Sequence, residues 1–128
     1  MVDAAPVVEH LTVLSVSPLY VRVHSSDPGE VRIRGANLLL RPREGIDPYH
    51  LLRTLQCHEA RVLLGREGPV DPQDPFWLAD SFLEIDVQPE LGNYVVSIKA
   101  DSIAAGVRVL ARAEAFARNH ARAPESGP

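Results

Sequence analysis

Cys57 is the only thiol in this chain. No internal disulfide can form, and a reducing compartment suits such a protein. Lysine is as scarce, with Lys99 alone against twelve arginines. That skew reads as the codon bias of a GC-rich, bacterial genome; it speaks to source and not to mechanism. No stretch approaches the roughly 18 to 20 apolar residues of a membrane span. The first residues lack a basic segment followed by an apolar core, so they do not read as a signal peptide. A cytoplasmic protein is the simpler expectation. The alternative is a mature exported domain whose leader has been removed, for which Val2–Pro6 would be a suitable start.

Several motifs are missing too. There is no glycine-rich phosphate loop, no GxGxxG and no Gly-x-Ser-x-Gly, so nothing announces a nucleotide, a cofactor or a serine nucleophile. The formal charge of −4 argues against a general nucleic-acid binder, which needs surplus cations to displace counterions from phosphates. The arginines are also dispersed instead of forming one run. RNA-binding sheets need exposed strand aromatics, and Tyr20 and Tyr94 are the only candidates. Metal-transfer ferredoxin-like domains carry a cysteine pair after their first strand, which one cysteine cannot supply. No family resemblance emerges.

What remains is an ordinary globular composition, 45% hydrophobic and 23% charged. The patterning predicts a flexible arm over 1–8, a single α+β domain over 9–120 and a disordered tail over 121–128. Strands are expected at 10–16 and 20–24, separated by Ser17-Pro18. A third runs from Val31 through a bulge at Gly35-Ala36-Asn37 to Leu40, and a hairpin pairs 83–88 with 94–98. Asp47 and Pro48 open a helix that ends near Gly65, with Leu51, Leu55 and Val62 as its apolar stripe, flanked by Leu52 and Leu63 on one side and His58 on the other. Asp101 is expected to cap a second helix, whose inner face carries Ile103, Gly106, Val107, Leu110, Ala113 and Ala117, extended by Val109 and Phe116. Phe76 and Trp77 should anchor the proline-rich loop between the two halves. The predicted architecture is a two-layer sandwich: a mainly antiparallel sheet of about five strands with both helices on one face. The order of elements also suggests a ββα-ββα pseudo-repeat.

Chemistry is hinted at in one place. Cys57 projects away from the apolar stripe, among His50, Arg53 and Arg61, and nearby positive charge stabilises a thiolate. A metal site is not expected there. His50 and Cys57 are separated by about 10 Å of helix rise, beyond what one ion bridges with ligands near about 2 Å. His58 points about 100° away from Cys57. His10 and His24 would meet only if the first two strands paired. Asp71, Asp74 and Asp80 lack the ligand alternation of a calcium loop and read as a solvated acidic loop. Glu84 and Asp86 read as exposed polar positions, and Ser102 as part of a helix start. The sequence therefore predicts a small, soluble, non-enzymatic interaction module without a cofactor. Its partner is another protein or a second copy, since open sheet edges must be covered or paired. A thiol-based redox or ligand sensor centred on Cys57 is the competing expectation.

Overall fold

The computed structural model describes residues 4–22, 30–66 and 73–121. In chain order they form α1 (Ala4–Glu9), β1 (Val13–Arg22), β2 (Val31–Leu40), α2 (Pro48–Leu63), β3 (Glu84–Glu90), β4 (Asn93–Lys99) and α3 (Ile103–Asn119). The strands make one antiparallel sheet in the order β1-β2-β4-β3. Each long helix packs on the hairpin it does not follow, α2 on β3 and α3 mainly on β2. Their buried residues join Ala36, Leu38, Leu40, Ile85, Val87, Val96 and Ile98 in one core. The fold is α+β.

The sheet has four strands where about five were expected. Ser17-Pro18 does not interrupt the chain, and β1 runs through it. Because β1 lies at the sheet edge, a residue with no N–H leaves no ladder bond unmade. The strand instead absorbs irregularity at Leu14, the extra residue between Val13 and Ser15 in its pairing with β2. The bulge expected at 35–37 falls one residue earlier: Arg34 is extra on β2, between Gly35 and Ile33. Gly35 is required for another reason, since a Cβ there would collide with the Ile98 carbonyl on β4.

The N-terminal segment is not a loose arm where it is described. Residues 4–9 are helical, α1 rests against α2, and Val8 enters the core. Leu11 and Val13 follow it inward. Ala121 bridges to Val13; residues 122–128 lie outside the described residues, as do His24 and the turn at 25–29.

Both long helices start at a side-chain cap. Asp47 accepts the His50 N–H at 2.7 Å, with Pro48 at the first helical position. On α3 the cap is Ser102, which accepts from Ala105 N–H at 3.1 Å. Asp101 is displaced from the expected role because its carboxylate already accepts the Ser81 hydroxyl at 2.7 Å. The inward face of α3 is Ala105, Gly106, Val109, Ala113 and Phe116, while Ile103 and Val107 are exposed. Gly106 lets the helix touch the sheet: a Cβ there would overlap the Arg34 backbone.

The face away from the helices is open. Register places Ser15, Leu39, Val95 and Gln88 in one row across it, then Ser17, Asn37, Ser97 and Asp86, then Leu19, Gly35, Lys99 and Glu84. Glu84 and Asp86 thus stand exposed on the open face of β3, as alternation requires.

Candidate functional site: a groove at the β3 edge

The residues singled out by sequence are distributed along α2 and beyond it. His50 and Arg53 are exposed on α2, and Cys57 and Arg61 are half-buried further along it. Arg53 turns back one helical turn to Tyr49, donating to its hydroxyl at 3.3 Å and lying 5.7 Å from the ring centroid. His10 is exposed beyond α1, and Asp80 forms a surface ion pair with Arg108 at 3.1 Å. Among the described residues no group of three or more His, Cys, Asp or Glu is placed to hold a metal ion. Asp71 lies outside them.

Two residues from those separate clusters do meet. His58 Nε2 donates to Asp74 Oδ2 at 2.5 Å, and both side chains are fully buried. The other Asp74 oxygen accepts Phe76 N–H at 2.8 Å. Phe76, held in this way, packs edge-on against Phe116 of α3 at 5.5 Å. Arg112 closes the loop from outside, donating to the Trp77 carbonyl at 2.9 Å with its guanidinium 5.0 Å from the Trp77 ring centroid. With no exposed surface, the pair cannot touch a substrate. It ties α2 and α3 to the segment that leads into β3.

That segment delivers β3 to the rim of a groove of about 570 Å³. One wall is a stripe of α2, Gln56, Glu59, Ala60 and Leu63, at the spacing that aligns side chains on one helix face. The other wall is the unbroken run from Phe82 to Asp86, and the cavity continues onto the open face of the sheet at Leu19, Ser97 and Lys99. Consecutive strand residues point to opposite faces, so what such a run shares is the strand's outer edge. Phe82, 69% exposed, stands at this rim with Leu63 across from it. Cys57 is not part of the lining.

Three observations fix which main-chain groups that edge presents. Leu91 and Gly92 have φ of +49° and +85°, and their two-residue turn pairs Glu90 with Asn93. A turn of this kind makes Glu90 a hydrogen-bonded partner of β4, so Gln88, Asp86 and Glu84 also turn inward. Pro89, Val87, Ile85 and Leu83 then face out. Pro89 has no N–H to offer, which suits an outward position. The Leu83 N–H is occupied by Glu59 Oε2 at 3.0 Å, a carboxylate in the position of a neighbouring strand's carbonyl. The outward N–H groups of β3 belong to Ile85 and Val87, and Pro89 adds an outward carbonyl.

Comparison with protein-family models, curated proteins and solved structures finds no match. Glu59 is only 5% exposed, and burial pushes its carboxyl above the ordinary 4.5, with the Leu83 hydrogen bond pulling the other way. Sequence reasoning passed over this residue because an apolar periodicity assigns Glu59 to no face. The buried arc of α2 is Leu51, Leu55, His58 and Glu59, rotated from the expected stripe, leaving Val62 half-buried and Leu63 exposed. An i, i+3, i+4, i+7 set ending in exposed Leu63 was the available signal. No described helix is long and apolar enough to cross a membrane.

Proposed function

We propose that this chain is a protein-interaction module that takes an extended peptide segment along β3, in the groove between β3 and α2. The observation that carries this reading is the unbroken run Phe82–Asp86 in the lining, since it puts the β3 edge against a channel that continues onto the open sheet face at Leu19, Ser97 and Lys99. Strand addition supplies main-chain hydrogen bonds for affinity and side-chain contacts for selection. Ile85 and Val87 offer the main-chain groups; Ala60, Leu63 and Phe82 offer apolar surface.

A second copy of the chain is the weaker candidate for the occupant. Antiparallel β3–β3 pairing would set the acidic row of Glu84, Asp86 and Glu90 against itself. The opposite edge carries Pro18 and the Leu14 bulge, devices that discourage pairing. Nothing in the groove requires catalysis: Glu59 holds a main-chain N–H, and the fully buried His58–Asp74 pair has no access to it.

The test is a titration with a short peptide alternating valine and lysine, followed by amide chemical shifts. Shifts confined to 82–87 and to the α2 stripe at Gln56–Leu63 are expected. Ala60→Trp, which fills the groove from an exposed helix position, should abolish them. Absence of shifts at millimolar peptide, or shifts that survive Ala60→Trp, would overturn the reading.

A further inference from the structure

The two sides of the β3 edge differ in chemistry, and an added strand meets both. On the open face the edge carries Glu84, Asp86 and, at its far end, Glu90, all exposed. Lys99 stands opposite Glu84 on β4 and offsets charge at that end, while Asp86 faces the neutral Ser97. Gln88 donates to Asp86 at 2.9 Å and leaves its charge in place. On the other side the edge presents buried Ile85 and Val87, with Ala60 and Leu63 of α2 beyond Ile85 along the groove.

A strand laid beside β3 points alternate side chains to these two sides. Its outer residues become cross-strand neighbours of Glu84 and Asp86, where opposite charge stabilises and like charge destabilises. Its inner residues enter the apolar trough. Resting on the peptide-binding reading above, we infer that the partner segment alternates basic and apolar residues, the basic side chains seated against Glu84 and Asp86. The chain's formal charge of −4 favours encounter with such a partner.

Three peptides of equal length separate this inference from the reading beneath it: valine alternating with lysine, with glutamine and with glutamate. Affinities are measured by titration calorimetry for the native chain and for the double variant Glu84→Lys, Asp86→Lys. Both substituted positions are exposed, and circular dichroism confirms that the variant is folded. The lysine peptide is expected to bind the native chain at least about five-fold more tightly than the glutamine peptide, as exposed charge pairs allow. Added salt should shrink that ratio, and the double variant should prefer the glutamate peptide. Equal affinity for the lysine and glutamine peptides, with no reversal in the variant, overturns the charge inference and leaves the groove reading standing. No binding by any of the three overturns both.

Discussion

His58 on α2 and Asp74, sixteen residues further on, form a fully buried pair at 2.5 Å that fixes the approach to β3. Removing one partner of a buried pair strands the other without compensation, at a cost of about 3–5 kcal/mol. His58→Ala and Asp74→Ala should each lose about that much in urea denaturation. The double variant should lose clearly less than the sum, because the second truncation removes the stranded group. Additive losses would mean that the two side chains do not act together.

Glu59 sets a pH dependence of stability. Its folded pKa is raised above the unfolded value by desolvation. The folded state therefore holds the proton more firmly, and its contribution to stability falls as pH rises above the ordinary 4.5 toward the folded value. Beyond the folded pKa the penalty is constant. Glu59→Gln keeps an acceptor for the Leu83 N–H and removes the ionisation. The stability difference between variant and native chain should therefore shift in the variant's favour as pH rises from 4 through the weakly acidic range. A flat difference over that range would contradict the assignment.

Leu91 occupies the left-handed region at φ +49° and is 98% exposed. That conformation costs a side chain with a branched, apolar body on the order of 1 kcal/mol, and the exposure returns nothing. Leu91→Asn makes an Asn-Gly pair suited to this two-residue turn and should raise the thermal midpoint by several degrees. An unchanged or lower midpoint would sink the strain argument.

Gly106 is the contact point of α3 with β2. Gly106→Ala improves helix propensity, yet the added methyl overlaps the Arg34 backbone. Overpacking should win, with a net loss of about 1–3 kcal/mol. A stabilised variant would mean that the helix can move away from the sheet.

Much of the fold could be read from residue pattern. Asp47-Pro48 marks the start of α2, and the turn around Gly92 joins two alternating runs into a hairpin. Pro18 misled because a proline's effect depends on whether its strand is an edge, a tertiary fact. Residues 4–9 misled because a short apolar helix is held by the core it reaches, not by its own propensity. The site was less legible. His58 and Asp74 belonged to two different candidate clusters, and only the folded chain joins one member of each. Cys57, the most conspicuous residue in the sequence, lies outside the groove lining. Glu59 carries no signature beyond its place in the helical row ending at Leu63, since its role is to meet a main-chain N–H on another element.

On the proposed reading, β3 accepts another strand through its outward main chain. Amide hydrogen exchange at Ile85 and Val87, with and without the valine–lysine peptide, tests it most directly. Saturating peptide should slow exchange at both amides and leave Glu84 and Asp86, already turned toward β4, unchanged. Unaltered exchange at Ile85 and Val87 under saturating peptide would contradict it.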